Sequence, residues 1–124
     1  MAYDEKLAER VRAILAPRRG VTEKKLMGTL AFMVEGVMCC SVGRDGLLVR
    51  VKVEERALLL AEPTVSPMKL GARTMQGFVR VAQPGLRTKA ALVRWLERGI
   101  AAGSTARSVS SRVGRKRSSA QRGH

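Results

Sequence analysis

Histidine is nearly absent from this chain: its one copy, His124, is the last residue of the sequence. No internal element therefore carries an imidazole, which removes the base of a Ser-His or Cys-His nucleophile and the commonest metal ligand. Cysteine is almost as scarce. Cys39 and Cys40 are adjacent, and a disulfide between neighbours closes a strained ring, so they do not form a secreted protein's disulfide framework. Two thiols also fall short of the four ligands of a zinc site. The aromatics number only Tyr3, Phe32, Phe78 and Trp95, three of them on apolar stripes, which leaves no stacking platform for single-stranded bases. Nowhere do about 18 apolar residues run together, and the opening Asp4, Glu5 and Lys6 precede no apolar leader. No membrane partner and a cytoplasmic, reducing location are expected. The glycines open no phosphate-cradling loop, and the acids form no catalytic pair by spacing. No catalytic residue, cofactor or metal is expected.

Acidic residues are the other deficit, 10 against 24 Lys and Arg, for a net charge of +14. Such a balance favours nucleic acid, an anionic surface or an acidic protein as partner. From Gly103 onward the basic residues are Arg107, Arg112, Arg115, Lys116, Arg117 and Arg122, with no acid among them. Val109 and Val113 are the only sizeable apolar residues there, too few to offset the entropy of ordering the segment. Residues 103–124 are therefore expected to be a disordered basic Ser/Arg-rich tail that binds DNA or RNA without sequence preference, with solubility as its plainer role.

The first 102 residues carry the pattern of one core. Leu7, Val11, Ile14 and Leu15 recur at helical spacing between Asp4 and Pro17. The spacing then predicts a strand over Leu26–Val34, whose second face carries Met27, Thr29, Ala31 and Met33, and a returning strand over Val37–Val42 beyond the Glu35-Gly36 turn. A third strand, Leu47–Val53, alternates Leu47, Val49, Val51 and Val53 with Leu48, Arg50 and Lys52. A short helix from Glu54 to Ala61 is stopped by Pro63, two strands follow at Met68–Leu70 and Met75–Val81, and Leu92, Trp95, Leu96 and Ile100 stripe a last helix over Thr88–Ala101. This predicts a two-layer α+β domain with an antiparallel five-stranded sheet, in the order α-β-β-β-α-β-β-α. Strand alternation places Cys39 and Cys40 on opposite faces. Gly28 and Gly77 are expected at bulges or close backbone approaches.

Several stretches together resemble the N-terminal domain of the TfoX/Sxy family: Val21-Thr22-Glu23-Lys24-Lys25, Leu30-Ala31-Phe32-Met33-Val34, Met38-Cys39-Cys40, Pro67-Met68, Met75-Gln76-Gly77-Phe78-Val79 and Arg94-Trp95-Leu96-Glu97-Arg98. The likeness spans residues 1–102 and excludes the tail. It implies a secretion-chaperone-like two-layer fold and a regulatory role tied to competence for DNA uptake, here in a stand-alone member.

These readings predict a non-enzymatic regulatory module that docks a protein partner, with the tail adding attraction to nucleic acid. Lys24, Lys25, Arg50, Lys52 and Arg80 are candidates for a basic face, and a domain of this size also gains from burial in a homodimer. The alternative is a small enzyme or enzyme subunit using Cys39 or Cys40 as nucleophile, which lacks a general base.

Overall fold

The computed structural model describes residues 3–26 and 28–121, and the side chains of residues 70 and 106–121 lie outside that description. The chain opens on α1 (Glu5–Leu15), which the sequence starts and stops cleanly. Asp4 caps it by accepting a 3.1 Å hydrogen bond from the Leu7 N–H, and Leu7, Ala8, Val11 and Leu15 are buried along one stripe. The other Asp4 oxygen accepts a 2.6 Å bond from the Gln83 side chain, tying the helix start to a residue 79 positions further along the chain.

The Leu7 N–H, opposed by burial and helped by Gln83, holds the Asp4 carboxyl below its ordinary range. Replacing Asp4 with Ala should cost about 1 kcal/mol at neutral pH, the usual scale for a lost N-cap. Because the folded pKa lies below the unfolded one, this contribution is fully present above the unfolded value and is lost as pH falls through the folded value. Urea denaturation of wild type and Asp4→Ala should therefore differ at neutral pH and converge in acid.

After α1 come β1 (Val21–Leu26), β2 (Thr29–Val34), β3 (Val37–Val42) and β4 (Gly46–Arg50), then α2 (Val53–Leu60), β5 (Val65–Leu70), β6 (Arg73–Ala82), a 3-10 turn over Gln83–Leu86, and α3 (Lys89–Gln121). All strands pair antiparallel in one open sheet, ordered β1-β2-β3-β4-β6-β5. The α+β class holds, with two corrections. The sheet has six strands rather than five, so the element order gains a strand after α1. The added one is β1, whose Glu23, Lys24 and Lys25 are exposed and erase the alternation that announces a strand. Charge of this kind is a common protection for an edge strand. The expected long strand over Leu26–Val34 is instead two strands, joined by a tight reversal in which Leu26 pairs with Thr29 and Gly28 takes φ 83°. Gly28 thus marks a turn rather than a bulge.

The β2–β3 hairpin turns on Glu35 (φ 52°) and Gly36 (φ 84°), the doubly positive geometry that suits the right-handed twist of a two-residue loop. Val53, read as the end of a strand, starts α2 and is exposed, while Val51 remains in the core. α2 carries the chain past β6 to the outer edge, and β6 returns between β5 and β4.

Directly opposed residues in antiparallel strands share a face, so the register defines the core. Phe32, Cys40, Val49 and Val79 form one buried row across β2, β3, β4 and β6. Leu30, Val42, Leu47, Val81 and Val65 form the next. Leu7, Val11 and Leu15 of α1, Leu59 of α2, Leu86 of the 3-10 turn and Leu92, Trp95 and Leu96 of α3 close over these rows in a single cluster. Thr88 caps α3 by accepting from the Ala91 N–H at 3.1 Å. The helix runs beyond the expected end at Ala101 as far as Gln121, through residues expected to form a disordered tail, with Ala102 and Gly103 both buried. Among the described residues no helix is long and apolar enough to cross a membrane.

Candidate functional site

Two features stand out from this frame: a thiol pair inside the core and the sheet face that the helices leave open. The pair follows from a break in register. Phe32 pairs with Cys40, but Met33 pairs with Met38, so Cys39 is an extra residue of β3 with no partner on β2. A bulge of this sort breaks strand alternation and re-aims the side chains beside it. Cys39 and Cys40 do not point to opposite faces as expected. Both are 0% exposed, and their sulfurs lie 3.9 Å apart, within range of a hydrogen bond for sulfur.

α3 lies tightly over this bulge because Gly99 has no side chain. A Cβ there would fall inside 3.0 Å of the Cys39 carbonyl oxygen, a backbone atom that cannot swing away. Gly103, one turn on, faces Val37 and the Arg50 side chain. Gly99→Ala should therefore destabilise the domain by about 1–3 kcal/mol, the scale of overpacking. The roughly 1 kcal/mol that alanine gains over glycine in a helix offsets part of this. A rise in urea midpoint for Gly99→Ala would contradict the close approach.

The hydrogen bond with Cys40 lowers the Cys39 pKa against the pull of burial, with smaller help from the Arg18 and Arg50 charges. The same bond, burial and the neighbouring Cys39 charge push Cys40 well up. Arg50 donates to the Met38 carbonyl oxygen at 2.7 Å, and its guanidinium carbon stands 4.7 Å from the centre of the Phe78 ring. Burial lowers its pKa, although a guanidinium stays charged at any ordinary pH. Among the described residues no three His, Cys, Asp or Glu side chains gather to hold a metal ion. A cleft of about 190 Å³ opens beside the Ile100–Ser104 stretch of α3, lined by Arg18, Val34, Glu35, Ile100, Gly103 and Ser104.

The second feature is the sheet face opposite the core rows. Lys24, Ala31, Ser41, Leu48, Arg80 and Ser66 form one row across all six strands. Met33 and its partner Met38 share this face with Ala31, and Phe78 and its partner Arg50 share it with Arg80. Met33, Met38, Leu48 and Phe78 are half-buried, while Lys24 and Arg80 are exposed. At roughly 4.8 Å per strand, Lys24 and Arg80 bracket an apolar strip about 19 Å wide.

Of the five residues suggested for a basic face, Lys24 and Arg80 stand on this side at opposite ends of the strip, while Arg50, though in register with it, packs its side chain beside Gly103 of α3. Lys25 belongs to the other side of β1, opposite Leu30, and Lys52 is the residue before α2. The apolar members Met33, Met38, Leu48 and Phe78 were not singled out from sequence. Their signal was the apolar residue on the second face of each strand, Met33 on β2 and Leu48 on β4 among them, which a sheet covered on both sides would also explain. The side chains of Arg107, Arg112, Arg115, Lys116 and Arg117, and all of Arg122, lie outside the described residues.

The chain is a mixed α+β domain whose helices gather over one side of an open antiparallel sheet, with basic and apolar residues together on the other. The family profile described as TfoX N-terminal domain matches residues 13–103, and this chain belongs to that family. No curated protein and no solved structure matches it.

Proposed function

We propose that this domain is a regulatory module that acts by binding, and that it docks an acidic protein surface on the open face of its sheet. The observation that carries this reading is the strip of half-buried Met33, Met38, Leu48 and Phe78 bracketed by Lys24 and Arg80. Apolar residues at the centre of a patch with charge at its edge are the usual anatomy of a protein interface, and methionines adapt to varied partners. The excess of basic over acidic residues selects a partner of negative charge and speeds its encounter. Membership of the TfoX family supports a regulatory, competence-related role.

The basic tail supports a second, independent contact. Arg107, Arg112, Arg115, Lys116, Arg117 and Arg122, with no acid among them, suit the phosphates of DNA or RNA regardless of sequence.

Affinity capture on the nuclease-treated full chain, beside a Leu48→Asp/Arg80→Glu variant, tests the docking face. The reading predicts that an acidic protein is held by wild type and lost from the variant. Equal capture by both would sink it.

A further inference from the structure

The Cys39–Cys40 bulge is not used by the docking reading, yet it places two thiols as a pincer. We propose that Cys39 and Cys40 together form a two-thiolate site for a soft monovalent metal ion of the copper(I) class. With metal–sulfur bonds of about 2.3 Å, sulfurs 3.9 Å apart subtend roughly 116° at a shared ion, close to a trigonal angle. Zinc would demand four ligands, and among the described residues no third His, Cys, Asp or Glu joins the pair. Soft thiolates select copper(I), which accepts two such ligands and a third small donor such as a free thiol. The bulge performs the essential step, because a regular strand would hold the two sulfurs on opposite faces.

Binding exchanges the two thiol protons for the ion. Both protons leave to solvent, two metal–sulfur bonds form, and no electron is transferred. The bound pair then carries one net negative charge. Arg18 and Arg50, which already act electrostatically on Cys39, are placed to offset it. Both sulfurs are fully buried, so the ion must arrive by a loosening of α3 over β3. The cleft lined by Arg18, Val34, Ile100 and Gly103 lies at that end of the helix, one turn beyond the Gly99 contact with Cys39. The surrounding apolar cluster would exclude water and oxygen from the bound ion.

The test is anaerobic competition between the full reduced chain and a chromophoric copper(I) chelator, with Cys39→Ser and Cys40→Ser alongside and circular dichroism confirming their folds. One ion per chain in wild type, lost in each single variant, is the expected result. Copper left entirely with the chelator, or held equally well by either single variant, would overturn the site. Should a serine variant fail to fold, X-ray absorption on copper-loaded wild type decides. Two or three metal–sulfur bonds to one ion support the pincer, and one or none overturns it.

Discussion

Phe32→Ala is expected to cost about 3–5 kcal/mol of folding free energy, the range for removing a large aromatic side chain from a core. Phe32 is fully buried on β2, opposite Cys40 and immediately before the register shift. Its loss removes packing from β2 and the bulge together and leaves a cavity that a hydrogen-bonded sheet cannot collapse around. Set against a total stability of roughly 5–15 kcal/mol for a domain, this is enough to unfold part of the population. Leu58→Ala is the matched control: Leu58 is 79% exposed on α2, and surface changes of this kind fall within about 0.5 kcal/mol. Urea denaturation of the two variants beside wild type should give a large drop in midpoint for the first and almost none for the second. Equal effects would mean that the core is not organised around the β2–β3 pair.

The second large effect concerns salt. If all six basic residues from Arg107 to Arg122 engage phosphates of duplex DNA, log affinity should fall against log salt with a slope near −5, about −0.9 for each contact. Raising salt fourfold would then weaken binding about a thousandfold. Replacing the six by Gln in the full chain should abolish most of the affinity and flatten the slope, read by fluorescence anisotropy at several salt concentrations. An unchanged slope would place the nucleic-acid contact elsewhere on the molecule.

The parts of this fold that could be read in advance are those where local chemistry and burial agree. Asp4 before an amphipathic run, with Pro17 after it, defines α1 to within a residue, and Thr88 does the same for the start of α3. The alternation of Leu47, Val49 and Val51 marks a strand with one face in the core. β1 was hidden because an edge strand needs little burial, and Glu23, Lys24 and Lys25 serve the edge rather than the core. The bulge was hidden for a different reason. Cys39 and Cys40 are compatible with a regular strand, and only the pairing with β2 shows that one of them is extra.

The candidate site was legible in its charges but not in its shape. Arg50 and Arg80 alternate with core valines, so their side of the sheet could be inferred strand by strand. Lys25 and Lys52 looked equivalent to them in sequence. Lys25 falls on the other side because β1 reverses into β2 at Gly28, and Lys52 leaves the sheet because β4 ends at Arg50. Whether a second face is covered depends on where the helices pack, which periodicity within a strand does not encode.

The most direct test of the docking claim is photocross-linking from position 48 at the centre of the open face, in the full chain inside living cells, with position 58 on the exposed side of α2 as control. The account predicts that the probe at 48 joins the chain to an acidic protein and that the probe at 58 does not. No cross-link from 48 above the level at 58 would contradict it.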